Sequence, residues 1–248
     1  MNARAALRIG GALLLFAVVA PVHIVTKGLL GRSRWPRHFL AAVAWVLGAR
    51  VRVVGPAAGR HTLLVANHTS WFDILLLGGC VGSSFVSKDN LGHGLLHWLA
   101  DQNDTIYVKR THVKGAKDQA LALARALGGE KPVTVFPEGT TGPGTHLLPF
   151  RSTLLEAANF AGSDVEIRPV AIDYGQARAD FGWFSEEPGK DNVLRLLGRR
   201  GTFPVTIHLL APLDPAGDRK QLTHEAREAI AATLGLTSPP QSPIGAGR

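Results

Sequence analysis

The chain holds a single cysteine, Cys80, among 248 residues. An intramolecular disulfide is excluded, and the composition suits a reducing compartment. Cys80 lies in an apolar stretch, which predicts a buried thiol rather than a nucleophile. Charge is also scarce, at 19% of residues against 46% hydrophobic. Acidic residues number 19 and basic ones 27, for a formal net charge of +8. That balance favours an anionic partner: a phosphate, an anionic lipid or a nucleic acid. The cations are scattered and no nucleic-acid module is present, so nucleic acid is set aside. No nucleophile elbow of the G-x-S-x-G type occurs. A metal-dependent hydrolase built on His61, His68 and Asp73 lacks H-E-x-x-H or comparable spacing, so no metal is expected. No internal repeat is found.

An uninterrupted apolar run of the roughly 20 residues that cross a bilayer is missing as well. Ile9 to Val22 gives fourteen residues without a polar side chain, preceded by Arg4 and Arg8, and His23 to Val25 extends it only marginally. A cleavable signal peptide is disfavoured, because Pro21 follows Ala20 and no A-x-A pattern is present. Next come Lys27, Arg32, Arg34, Arg37 and His38 around Trp35-Pro36. Pro36 opens a second helix whose stripe, Phe39-Leu40, Val43 and Val46-Leu47, stops near Gly48. Residues 1–48 therefore read as two short membrane-anchoring helices dipped into an anionic interface, ahead of the alternative of a packed helical pair covering the domain that follows. A non-enzymatic membrane module would share these features.

From position 49 the pattern alternates. Strands are expected at 51–54, 62–66, 84–88, 104–109, 132–136, 166–173 and 204–211. Helices are expected at 73–79, 90–100, 115–128, 151–161, 190–198 and 220–234. Residues 49–236 thus form an α/β domain, a mixed sheet with helices on both faces. Pro169 inside its strand predicts an edge or strand-entry position. The tail 237–248, with Pro239, Pro240 and Pro243, lacks periodicity and is expected to be disordered.

Sheets of this kind gather ligands at the carboxyl ends of their strands. Asn67-His68-Thr69-Ser70-Trp71-Phe72-Asp73 follows one strand and opens a helix. His68 and Asp73 would sit about 140° apart in an unbroken helix, so they meet only across a turn. Asp73 there accepts from Nδ1 of His68, leaving Nε2 to take a proton from a hydroxyl. Trp71 and Phe72 are expected to pack.

Three more strand ends carry notable residues: Tyr107-Val108-Lys109-Arg110, Phe136-Pro137-Glu138-Gly139-Thr140 and Arg168-Pro169-Val170. With the His68–Asp73 stretch, in this order, they resemble the four blocks of the glycerolipid acyltransferase family. The resemblance implies that His68 is the general base and Asp73 its support. It implies an acyl-CoA or acyl carrier protein thioester as co-substrate, no cofactor, and a lysolipid acceptor. Asn67, Ser70, Phe136, Pro137, Glu138, Gly139 and Thr140 become acceptor-site residues, with Glu138 on a glycerol hydroxyl. Arg110 and Arg151 are chosen to grip the acceptor's anion, since guanidinium binds oxyanions bidentately. Lys88, at another strand end, is assigned to the donor's phosphates. Work on the cytoplasmic face of the inner membrane follows from the same likeness. The expected acceptor is 1-acyl-glycerol-3-phosphate. Lys109 and Phe150-Arg151-Ser152-Thr153 depart from the common pattern, and the latter looks more like the branch that acylates lyso-ornithine lipid.

Overall fold

The computed structural model describes residues 2–88, 94–108, 114–156, 164–183, 187–214 and 217–236. The 237–248 tail, Arg110 and parts of the expected helices 90–100 and 151–161 lie outside the described residues.

Seven strands form one mixed sheet: β1 (Ala49–Val54), β2 (Thr62–Ala66), β3 (Ser84–Lys88), β4 (Ile106–Val108), β5 (Val133–Val135), β6 (Glu166–Asp173) and β7 (Phe203–Leu209). Their order is β1-β7-β6-β2-β5-β3-β4, with β6 and β7 antiparallel and every other pair parallel. Side chains alternate across the pleat, so each strand feeds two cores. Leu64, Ala66, Val170 and Ile172 enter one, beneath helices α2 (Trp35–Val46) and α3 (Phe72–Leu76). Leu63, Val65, Ile167 and Ala171 enter the other, covered by α5 (Lys114–Leu127) and α8 (Arg219–Leu234). Helix α4 (Leu95–Gln102), the short α6 (Arg178–Phe181) and α7 (Gly189–Gly198) are further α-helices.

Pro169 corrects an expectation, for β6 lies inside the sheet between β7 and β2. The Leu210 N–H donates to the Pro169 carbonyl at 3.0 Å. In an antiparallel pair the return bond would come from residue 169, and it is the one that proline cannot make. That gap falls just where β7 ends at Leu209, so an interior proline interrupts little of the ladder.

The first helix is also longer than expected. Helix α1 (Ala3–Leu30) runs 28 residues straight through Pro21, about 42 Å at ~1.5 Å per residue. By length and composition it is able to cross a membrane. Its polar residues do not end it, because the neighbouring elements supply partners. His23 bonds Ser33 at 2.8 Å and Gln102 at 3.0 Å, and Lys27 reaches the same Gln102. Near the other end, Arg8 donates to the carbonyls of Leu197, Arg199 and Gly201 at 2.9–3.0 Å. Ala5 of α1 and Val43, Ala44 and Leu47 at α2 belong to the same core as Leu64 and Phe72.

Helix α3 continues as a π-turn, Leu77–Val81, against which α2 lies. The approach is close enough that a Cβ on Gly79 would stand 2.4 Å from the backbone nitrogen of Ala41. Cys80, expected buried, is only half-buried here, and its carbonyl accepts from Arg37.

Candidate active site

Strands β2 and β6 run in parallel and end side by side, and a single side chain ties their ends. Asn67 accepts from the Ile172 N–H at 2.8 Å and donates to the Ile172 carbonyl at 3.2 Å. The chain then turns. The Ser70 hydroxyl accepts from the Phe72 N–H, while Asp73 reaches back to the N–H of Ser70 at 2.9 Å. These two side-chain bonds brace the turn that leads into α3.

Asp73 is wholly buried, and an unpaired charge there would be costly. Its Oδ2 accepts from the N–H groups of Thr69 and Ser70 and from Nδ1 of His68, at 2.8, 2.9 and 2.9 Å. Its Oδ1 accepts from the Tyr174 hydroxyl at 2.5 Å. The sequence expectation of a His68–Asp73 contact across a turn is met in the geometry. His68 keeps 16% side-chain exposure, and its Nε2 has no partner among the described residues. Its ring stacks on Phe136 at 4.0 Å and 17°, and Phe136 in turn stacks on Phe85. The imidazole is thereby fixed in plane as well as in tautomer.

The turn after β5 closes over this histidine. Gly139 takes φ 72°, a left-handed conformation that glycine adopts without strain. Glu138 is buried, with one oxygen accepting from the His68 N–H at 2.7 Å and the other from the Leu148 N–H at 2.9 Å. Burial pushes its carboxyl up to about 7, although both N–H donors pull the other way. The Gly142 N–H donates to the His68 carbonyl, so the His68 backbone is gripped on both sides.

Asn67, Ser70 and Glu138, expected to face substrate, thus direct their polar atoms at the protein's own backbone. Phe136 meets His68 through its ring. Pro137 is buried, and its carbonyl accepts from the Arg151 N–H, which brings Arg151 to the turn with its side chain exposed. Thr140 is exposed beside it. Trp71 donates to Asn192 and Phe72 is buried, both packing as expected. Lys88 ends β3, opposite Val108. Sequence reasoning missed Tyr174, which belongs to no block. It also missed Arg178, which lines a small depression with His68, Glu138 and His146 and pairs with Asp173 at 2.8 Å. Their one signal was position, just past the end of a strand that neighbours the His68 strand. Among the described residues no group of three or more His, Cys, Asp or Glu is placed to hold a metal.

A family model described as Acyltransferase matches residues 50–173, the span that carries His68, Asp73 and Glu138 and stops just short of Tyr174. The lyso-ornithine lipid O-acyltransferase of Pseudomonas aeruginosa is 37% identical over 224 residues, covering 85% of this chain and 83% of that protein. The chain belongs to the acyltransferase family. A second relative of this acyltransferase is the 1-acyl-sn-glycerol-3-phosphate acyltransferase of Neisseria gonorrhoeae, 29% identical over 54% of the chain and 52% of its own length. The crystal structure of the 1-acyl-sn-glycerophosphate acyltransferase from Thermotoga maritima shares the fold, with a TM-score of 0.59 at 23% identity. It is matched over 92% of this chain and 97% of its own. The acyltransferase is accordingly an enzyme of lipid synthesis with a mixed α/β sheet.

Proposed function

We propose that the enzyme moves a fatty acyl group from an acyl thioester to the free hydroxyl of lyso-ornithine lipid. The observation that carries the chemistry is the 2.9 Å contact between His68 Nδ1 and buried Asp73. Nε2 of His68 takes the proton as the acceptor oxygen attacks the thioester carbonyl. The tetrahedral intermediate collapses with cleavage of the C–S bond, and the imidazolium returns the proton to the departing thiolate. Asp73 stays ionised and holds the ring in place. No acyl-enzyme forms, in keeping with the lack of a nucleophile elbow.

Sequence alone put lysophosphatidate first. What favours lyso-ornithine lipid is similarity along most of the chain to the Pseudomonas enzyme, against about half for the Neisseria one. The Phe150-Arg151-Ser152-Thr153 stretch points the same way. Coenzyme A or acyl carrier protein bears the donor thioester, with Lys88 toward its phosphates. Arg110 and Arg151 remain the proposed grips on the acceptor's anion. We also assign α1 and α2 to the cytoplasmic surface of an anionic membrane. Leu7, Leu14, Val18, Val25 and Leu29 are each more than half exposed, as an interfacial helix requires.

Purified enzyme, labelled acyl donor and both acceptors side by side decide the matter. Turnover of lyso-ornithine lipid at tenfold or more the kcat/KM of lysophosphatidate is the expected result. The reverse ratio would return the acceptor assignment to lysophosphatidate.

A further inference from the structure

Asp73 has two oxygens, and they are served differently. Three donors converge on Oδ2, two of them backbone N–H groups of its own turn. Oδ1 has one partner among the described residues, the hydroxyl of Tyr174, 101 positions away at the end of β6. That hydroxyl is wholly buried, so burial pushes its titration well above the ordinary phenol range and it stays a donor. The ring is held by stacking on Phe181 at 4.4 Å and 17°, with Phe203 at 6.5 Å. Phe72 joins the same cluster through Phe181 and Phe203. A phenylalanine would serve that packing equally and bury no polar atom. The hydroxyl therefore needs another reason, and Asp73 supplies it.

We propose that Tyr174 is a positioning residue of the catalytic pair, its hydroxyl holding Oδ1 of Asp73 and so setting how tightly His68 and Asp73 keep the proton taken from the acceptor. The proposal rests on His68 as general base. Without the hydroxyl, Oδ1 is buried with no donor, the carboxylate is less stabilised, and the pair binds a proton more strongly. Other ionisable groups face this pair. Glu138 sits on the His68 N–H with Arg227 of α8 acting on it, and His146 and Arg178, the latter paired with Asp173, line the depression beside His68. None of them touches Oδ1.

Tyr174→Phe keeps the ring and removes the donor. Imidazole nitrogen NMR, with His68 assigned by its loss in His68→Gln, follows the titration without substrate, and kcat/KM against pH follows it in turnover. The expected result is a midpoint and an acid limb both displaced upward by about one pH unit, with the high-pH plateau kept within about threefold. The displacement should persist in Glu138→Gln and vanish in Asp73→Asn. An unmoved midpoint, or an equal loss of rate at every pH, overturns the proposal. Should Tyr174→Phe fail to fold, 3-fluorotyrosine in a Tyr107→Phe background labels Tyr174 alone, since the chain has two tyrosines. This more acidic phenol donates more strongly and should move the midpoint downward; no movement overturns the proposal. A His68→Ala variant that stays active defeats the general-base reading whatever the NMR shows. An inactive one with an unmoved midpoint defeats the Tyr174 assignment alone.

Discussion

His68→Ala removes an imidazole but neither of the backbone bonds, from Glu138 and Gly142, that fix position 68. The variant should fold normally by circular dichroism and lose about 10²–10⁴ in rate. A retained rate above a tenth of wild type would remove His68 from the chemistry. Asp73→Asn should cost less activity, yet lower the melting temperature, because Asp73 also holds two N–H groups of its turn. Glu138 gives a separate signature. Its folded value near 7 lies above the ordinary 4.5, so the folded state binds more protons between these limits. Stability should therefore fall as pH rises from about 4.5 to 7, by about 3 kcal/mol at most. Glu138→Gln should flatten that slope in denaturant titrations; an unchanged slope would show that Glu138 is not its source. At this scale the sequence displayed His68, Asp73 and Glu138 through their blocks. Where each side chain points was hidden, because the partners lie far along the chain: 70 residues from Glu138 to His68, 101 from Asp73 to Tyr174.

Among elements, strands and helices were legible nearly to the residue where periodicity was strong, as in β6 and α8. Two misreadings share a cause. Pro169 and the polar residues of α1 carry local penalties, and local penalties argue for edges and ends. Both are tolerated because a neighbour meets the need: β7 stops where the proline lacks its donor, and Gln102 bonds His23 and Lys27. Close contact between α2 and the π-turn was not legible either, since it depends on a missing side chain. Gly79→Ala should force α2, at Ala41, away from the π-turn and destabilise the fold by about 1–3 kcal/mol, read from urea midpoints. Unaltered stability would mean that the two elements have room to spare.

On the scale of the whole molecule, exposed Trp45, Leu95 and the outer stripe of α1 leave much apolar surface uncovered. The cation cluster beside it is reduced from the sequence's estimate, for Arg37 bonds the carbonyls of Gly79 and Cys80 and Lys27 bonds Gln102. Vesicle sedimentation should therefore show binding carried chiefly by α1, with Leu14→Ser/Val18→Ser weakening it more than Arg32→Ala/Arg34→Ala. The opposite ranking would make the attraction mainly electrostatic.

Helix α1 is fastened to the same domain near both of its ends, through Arg8 at one and through His23 and Lys27 at the other. A rod pinned twice to one body cannot thread a bilayer and leave the body on a single side, so a membrane meets this enzyme as a raft meets water. On the membrane surface proposed for it, its reach is then confined to the sheet of lipid it floats upon. In sealed vesicles carrying lyso-ornithine lipid in both sheets, with enzyme and donor added outside, conversion should halt near half. Breaking the seal with detergent should release the remainder, and full conversion in intact vesicles would show that the rod comes unpinned.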